Sequence, residues 1–215
     1  MRAAVELGAS EIVVVVNPST HVAVASALHR QFGPGLIKFA VQEIPQGTGD
    51  AARVGLATST VTDRDRVLIL SGDTPLLQRT DLQPLVDGLD GTTALGFMYF
   101  NAEAPHGYGR VLRNSHGMPT SIVEQRDLNG PAEEAIREVN AGVYLGRGDE
   151  LGLALSRIRP DNAQGEFYLT DIVADIAKRA QVRAVEASPR ALAGVNDRSQ
   201  LNHVEQVIFS RIREQ

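Results

Sequence analysis

Apolar and polar residues follow one another along the first half of the chain in blocks that predict strands and helices in alternation. The predicted strands are Glu11–Val16, Ile37–Val41, Arg66–Leu70 and Thr93–Phe100. The predicted helices between them are Thr20–Phe32, Thr48–Ala57 and Leu82–Leu89. The first and third strands are apolar on both faces, which is typical of buried parallel strands. This alternation predicts a doubly wound α/β sheet.

The middle of the chain has a different pattern, with short strands around turns. These predicted strands are Gly109–Arg113, Thr120–Glu124 and Glu138–Leu145, and they indicate a β-rich insertion over the sheet with antiparallel pairing. The remaining predicted elements are helices at Glu150–Ile158 and Phe167–Ala180, a strand at Val182–Val185, and a closing helix capped by Ser199 that ends near Arg213.

Length and composition narrow the class of protein. The 215 residues are enough for one sizeable α/β domain, and we expect residues 1–215 to form one. A net charge of -5 argues against a nucleic-acid-binding protein, which usually has a basic face. The absence of cysteine excludes a disulfide scaffold and a catalytic thiol. No apolar run approaches membrane-spanning length, so we expect a cytoplasmic protein with no membrane partner.

Two loops that follow predicted strands contain candidate binding residues. In the first, Gln42 precedes Gly47, Thr48 and Gly49 at the start of a predicted helix. The glycines let the backbone approach a flat ligand, and the free N–H groups of a helix start favour anions. Taken alone, this stretch is more typical of a plain strand–helix turn in which Thr48 caps the helix, because small Gly-Thr-Gly turns are common.

The second loop, Ser71-Gly72-Asp73-Thr74-Pro75, directly follows a predicted strand. Ligands of open α/β sheets bind beyond the carboxyl ends of the strands, where a carboxylate such as Asp73 can bind Mg²⁺ together with substrate phosphates. The alternative is an aspartate that caps a helix or stabilises a turn. The five histidines are scattered without metal-ligand spacing, and the chain contains no Walker loop.

The order of short motifs carries more information than any one of them. After these two loops come Gly107-Tyr108-Gly109-Arg110, Ile122-Val123-Glu124, Glu138-Val139-Asn140-Ala141-Gly142, Asn162-Ala163-Gln164-Gly165-Glu166-Phe167-Tyr168-Leu169-Thr170-Asp171 and Gly194-Val195-Asn196-Asp197-Arg198. This series resembles the uridylyltransferase domain of bacterial bifunctional N-acetylglucosamine-1-phosphate uridylyltransferases, over nearly the whole chain. The resemblance implies a Rossmann-like nucleotidyltransferase fold with a mostly parallel sheet and a β-rich sugar-binding insertion.

The resemblance also implies a role for each matching residue. Gln42, Gly47 and Thr48 are similar to the residues that read uracil, and Ser71 and Gly72 to those that line the nucleotide. Asp73 and Asn196 resemble the two protein ligands of Mg²⁺ and are the implied catalytic pair. Gly109, Glu124 and Asn140 resemble the sugar-binding set, although Glu124 and Asn140 taken singly are also typical of ordinary strand-end residues.

The implied reaction joins UTP to N-acetylglucosamine 1-phosphate, giving UDP-N-acetylglucosamine, a precursor of peptidoglycan and lipopolysaccharide, and pyrophosphate. Two alternatives stay open: a transferase for another sugar 1-phosphate or base, and a non-catalytic module that binds UDP-sugars.

The chain also departs from the family pattern. The family's first strand, its Gly-rich triphosphate loop and its C-terminal β-helix domain have no counterpart in these residues, and Ser71 stands where an aromatic residue is frequent. We therefore expect a truncated form with weak or no catalysis. Because the family's trimer resides mainly in the β-helix domain, we expect a monomer.

Overall fold

A computed structural model describes residues 1–33, 35–192, 194–195 and 198–213 of the chain. The described strands are β1 (Ile12–Val16), β2 (Ile37–Val41), β3 (Arg66–Leu70), β4 (Thr93–Asn101), β5 (Arg110–Arg113), β6 (Pro119–Val123), β7 (Glu138–Arg147) and β8 (Gln181–Glu186). The described α-helices are α1 (Arg2–Glu6), α2 (His21–Phe32), α3 (Thr48–Thr58), α4 (Arg79–Gly88), α5 (Pro131–Glu134), α6 (Gly148–Arg157), α7 (Asp171–Ala177) and α8 (Arg198–Arg213). None of the described helices is long and apolar enough to cross a membrane.

Strands β3 to β8 form a six-stranded sheet. Its main path is β6-β5-β7-β4-β8, and β3 pairs with β7 beside this path. Strand β7 is antiparallel to β3, β4 and β5, whereas β4 and β8 are parallel. Strands β3, β4, β5 and β8 therefore run in one direction, and β6 and β7 run in the other. The antiparallel pairing predicted for the middle of the chain is confirmed, and its last strand, β7, is a central strand of the sheet.

Strands β1 and β2 form a separate parallel pair, in register from Ile12 opposite Ile37 to Val16 opposite Val41. Helix α3 connects this pair to the rest of the fold. Gly55 of α3 lies so close to β1 that a Cβ there would be 3.0 Å from the Val15 side chain.

Helices cover both faces of the six-stranded sheet. On one face Phe97 of β4 packs with Leu155 of α6 and Ile172 of α7. On the other face the next residue, Met98, packs with Leu82 of α4. Successive side chains of a strand point to opposite faces, so a strand covered on both sides must be apolar throughout. The uninterrupted apolar run in β4 is thereby explained.

Most predicted elements occur within a few residues of their predicted bounds, and two of the differences have physical causes. Helix α4 begins three residues early, because Gln78 and Asp81 form a capping box in which the Gln78 N–H donates to the Asp81 carboxylate at 2.9 Å. Helix α7 is shorter than predicted, because the backbone at Phe167 bonds to the α3 loop instead of continuing a helix. Ser199, predicted as the residue before the closing helix, lies within α8, which begins at Arg198.

Candidate active site

The loop between β2 and α3 brings the predicted uracil-reading residues together. The Gln42 side-chain nitrogen donates to the Gly47 carbonyl oxygen at 3.3 Å and to the Asp50 carboxylate at 2.8 Å. Gly47 has a backbone φ of 106°, which residues other than glycine rarely adopt. A Cβ at Gly47 would also lie 2.6 Å from the Phe167 carbonyl oxygen. Glycine at position 47 is therefore required both by the turn and by the chain segment packed on it.

That segment precedes α7, and its backbone N–H and carbonyl groups form three hydrogen bonds that hold the loop. The Gly49 N–H donates to the Phe167 carbonyl at 2.7 Å, and the Phe167 N–H donates to the Gln46 carbonyl at 2.8 Å. The Leu169 N–H donates to the Thr48 hydroxyl oxygen at 3.1 Å. Thr48 does not cap α3, since Gly47 is the N-cap residue and no side chain bonds the helix start. Its hydroxyl instead ties the loop to the segment before α7.

The predicted metal loop follows β3 directly. Ser71, Gly72 and Asp73 are all exposed, and the Asp73 carboxylate accepts no hydrogen bond from the residues that the structure describes. The backbone N–H of Val195 donates to the Asp73 carbonyl at 2.9 Å. Asn196, the second predicted ligand, lies outside the described residues, and its immediate neighbour in sequence is bonded to Asp73.

The groups around Asp73 suit a hydrated Mg²⁺ ion better than a metal held only by protein side chains. In the described part of the chain no three acidic or histidine side chains cluster so that they could hold a metal ion. Mg²⁺ does not require such a cage, because it usually keeps several waters and binds one or two carboxylates plus substrate phosphates. A single open carboxylate at a strand end fits that ion.

The three predicted sugar-binding residues lie together. The Asn140 N–H donates to the Gly109 carbonyl at 2.9 Å. A Cβ at Gly109 would lie 2.8 Å from the Ile122 side chain and 3.3 Å from both Glu124 carboxylate oxygens, so the Gly109 backbone closely approaches that carboxyl group. The Thr170 hydroxyl donates to Glu124 Oε1 at 3.0 Å. Burial raises the pKa of Glu124, the Thr170 hydrogen bond lowers it, and the negative charge of Asp127 raises it further.

The side-chain amide of Asn140 has a fixed orientation. Its nitrogen donates to the Tyr144 hydroxyl at 2.8 Å, and its oxygen accepts from the Gly142 N–H at 3.2 Å. Each amide has two N–H donors and two acceptor lone pairs, so one of each remains for a ligand. Tyr144 is buried, and burial raises the pKa of its hydroxyl well above the ordinary value.

Two contacts connect the three predicted subsites. Leu169 bonds to Thr48 of the nucleotide loop, and the next residue, Thr170, bonds to Glu124 of the sugar set. Gly142, two residues after Asn140 of the sugar set, lies beside the metal loop: a Cβ at Gly142 would be 3.2 Å from the Ser71 hydroxyl oxygen. All described members of the predicted site therefore belong to one connected region, in which the sugar set adjoins the loops that follow β2 and β3.

Sequence reasoning missed three residues of this region, although each lies in or beside a motif that it had singled out. They are Tyr144, Thr170 and Asp171. The Asp171 carboxyl faces Glu124 and Asp127, and burial together with these two charges raises its pKa from 3.8 to about 6. A pocket of about 350 Å³ between α3 and α6 contains none of the predicted residues.

The chain is similar to known proteins both in sequence and in structure. No family model matches the chain. The bifunctional protein GlmU of Sorangium cellulosum is 43% identical over 98% of this chain and 45% of its own length. The bifunctional protein GlmU of Anaeromyxobacter dehalogenans (strain 2CP-1 / ATCC BAA-258) is 40% identical over 100% of this chain and 43% of its own length. The chain thus spans a little less than half the length of these relatives.

A solved structure described as a putative glucose-1-phosphate thymidylyltransferase from Bacillus anthracis, in complex with a sucrose, superposes with a TM-score of 0.68. The match covers 94% of this chain and 83% of that one at 20% identity. This likeness establishes that the chain has the nucleotidyltransferase fold, as predicted. The more particular resemblance, to the uridylyltransferase part of the bifunctional GlmU proteins, is confirmed by the sequence relatives.

Proposed function

We propose that this chain is the uridylyltransferase domain, over residues 1–215, that forms UDP-N-acetylglucosamine and pyrophosphate from UTP and N-acetylglucosamine 1-phosphate. One observation carries the proposal. Leu169 and Thr170, adjacent in sequence, bond to Thr48 of the predicted nucleotide loop and to Glu124 of the predicted sugar set. Such a link supports a site in which base and sugar bind side by side.

In this proposal the nucleotide end of the site is formed by two loops. Gln42, Gly47 and Thr48 hold the uracil, and Ser71 and Gly72 line the nucleotide beside the metal. Asp73 and Asn196 would hold Mg²⁺, which neutralises phosphate charge when bound. The support from geometry is the open carboxylate of Asp73 and the bond from Val195, the neighbour of Asn196, to the Asp73 backbone.

The sugar end uses Gly109, Glu124 and Asn140. The oriented Asn140 amide retains one N–H and one lone pair, which suit a sugar hydroxyl or an acetamido group. Glu124 lies close to the backbone of Gly109 and can bond sugar hydroxyls. The acetamido preference is part of the proposal, because a sugar without that group would leave the Asn140 amide less well paired.

The chemistry needs positioning more than a protein nucleophile. An oxygen of the sugar phosphate attacks the α-phosphorus of UTP, one P–O bond forms, and the bond to the β-phosphate breaks as pyrophosphate leaves. Turnover by these 215 residues alone is expected to be weak, because no stretch within them matches the family's Gly-rich loop. We infer a cytoplasmic location, in line with its proposed nucleotide and sugar-phosphate substrates.

Calorimetric titration with UDP-N-acetylglucosamine and Mg²⁺ tests the proposal without requiring turnover. We expect saturable binding that Asp73→Asn weakens only in the presence of Mg²⁺, since the carboxylate acts through the metal. Asp63→Asn, a change at another exposed aspartate, is the matched control and should leave binding unchanged. Equal weakening by Asp73→Asn with and without Mg²⁺ would contradict the assigned metal role.

A second candidate function is transfer to another sugar 1-phosphate. It is favoured by the structural likeness to the Bacillus anthracis protein described as a putative glucose-1-phosphate thymidylyltransferase. Competition separates the two candidates. If glucose 1-phosphate displaces N-acetylglucosamine 1-phosphate at comparable concentrations, the acetamido preference is wrong. Pyrophosphate release from UTP, measured in parallel, distinguishes a transferase from a module that binds UDP-sugars without reaction.

A further inference from the structure

The side-chain amide of Gln42 can adopt only one of its two orientations. Its terminal atom lies 2.8 Å from Asp50 Oδ2 and 3.3 Å from the carbonyl oxygen of Gly47. Both partners are acceptors without a proton to give, so the atom between them must be the NH2 group. The reverse orientation would place the amide oxygen against two other oxygens.

This orientation determines what Gln42 offers to a ligand. Both of its N–H groups are used within the protein, and its carbonyl oxygen accepts no hydrogen bond from the described residues. Gln42 as a whole is partly exposed. A lone acceptor binds a donor well and is repelled by another acceptor. Uracil and thymine have an N–H at ring position 3, whereas cytosine has a lone pair there.

Asp50 is itself held in place. It lies in the first turn of α3, its side chain is only 14% exposed, and the Arg53 guanidinium is 3.6 Å from its other oxygen. Arg53 in turn donates to the Leu155 carbonyl at 3.0 Å and lies over the Phe167 ring at 4.6 Å. Neither Asp50 nor Arg53 is among the predicted ligand contacts, so their effect on a base is exerted through Gln42.

We propose that Asp50 is a positioning residue that makes the site select a base with a ring N–H, uracil or thymine, against cytosine. The inference rests on the proposed function, since it takes the Gln42 loop as the place where a base binds. Without Asp50, the amide keeps only its longer bond to Gly47, and the alternative orientation becomes accessible. The site would then distinguish the two classes of base less well.

The test measures the dissociation constants of UDP and CDP by calorimetry, at neutral pH, for the full chain and for Asp50→Leu. We expect the wild type to bind UDP more tightly than CDP by a factor on the order of 10, the usual consequence of one mismatched buried hydrogen bond. In Asp50→Leu that ratio should fall to about 3 or less, mainly through weaker UDP binding.

A matched control separates positioning from the loss of a helix-terminal charge. Asp149 lies in the first turn of α6 and pairs with Arg147 at 3.1 Å, much as Asp50 lies in α3 and pairs with Arg53. Asp149→Leu loses a comparable charge without touching Gln42 and should keep the wild-type ratio. Asp50→Ala provides a second variant if Asp50→Leu does not fold, as judged by thermal unfolding.

The outcomes separate this inference from the proposed function. Equal binding of UDP and CDP by the wild type overturns the inference while a site for nucleoside diphosphates still stands. Undiminished discrimination in a folded Asp50 variant overturns the role of Asp50. Binding of neither nucleotide overturns the proposed function, and the inference with it. As an independent check, 3-methyluridine diphosphate, which lacks the ring N–H, should bind the wild type more weakly than UDP.

Discussion

Replacing Asp171 with asparagine should stabilise the protein at neutral pH, because the Asp171 carboxyl is costly to ionise in the fold. Its pKa is raised from 3.8 to about 6, first by burial and then by the charges of Glu124 and Asp127. The folded state therefore keeps a proton that the unfolded chain releases. Stability falls as the pH rises through the interval between these two values, and the loss is complete above the upper one.

The magnitude follows from the size of the shift. From 3.8 to about 6 is about 2 pKa units, and at ~1.36 kcal/mol per unit the upper limit is about 3 kcal/mol. Partial access of solvent to the carboxyl reduces this to about 1–2 kcal/mol. Asp171 also lies at the start of α7, where a negative charge contributes about 0.3–1 kcal/mol that asparagine loses. A net stabilisation of about 1 kcal/mol remains above the upper pKa.

Urea unfolding of wild type and Asp171→Asn across this pH range measures the difference directly. The difference should be near zero or slightly negative at acidic pH and should grow as the pH passes through the interval. Asp175→Asn, on the same helix, is the control: it removes a carboxylate paired with Arg179 at 3.2 Å and should not stabilise the protein. A difference between wild type and Asp171→Asn that is independent of pH would refute the reasoning.

Two further variants test single contacts. Tyr144→Phe removes the partner of the Asn140 amide nitrogen, and we expect about 2- to 13-fold weaker binding of UDP-N-acetylglucosamine with UDP binding unchanged, both measured by calorimetry. Equal loss for both ligands would indicate a general structural effect. Gly49→Ala would place a Cβ 2.9 Å from the Phe167 carbonyl and 2.5 Å from the Ile158 side chain. The resulting overpacking should cost about 1–3 kcal/mol, more than the gain in helix propensity, and lower the midpoint of thermal unfolding.

The parts of the fold that the sequence predicts well are those determined by local pattern. Strands β2 and β3 have the predicted bounds, because short apolar runs between polar turns usually form buried strands in a globular domain. The start of α4 was missed because a glutamine cap is uncommon, although Asp81 three residues later is the second half of a capping box. The position of β7 inside the sheet depends on long-range pairing that periodicity does not report.

For the candidate site, too, the sequence predicts some residues and not others. Motif order identified Glu124 and Asn140, and in the fold both adjoin Gly109. It did not identify the residues that orient them, because Thr170 reaches Glu124 across 46 positions of the chain. The orientation of the Gln42 amide is likewise set by Asp50 through a contact between side chains. Such partners are determined by packing, so sequence spacing alone does not reveal them.

We propose that base and sugar bind side by side in the connected region from Gln42 to Asn140. Identifying the backbone amides whose signals shift when ligand binds is the sharpest test of this arrangement. Two-dimensional ¹H–¹⁵N spectra of the chain would be recorded with increasing UDP-N-acetylglucosamine and Mg²⁺. We expect shifts at Gly47 to Gly49, at Gly109 and at Leu169, with α2 unaffected. Shifts confined to the pocket between α3 and α6, or no shifts at saturating ligand, would contradict it.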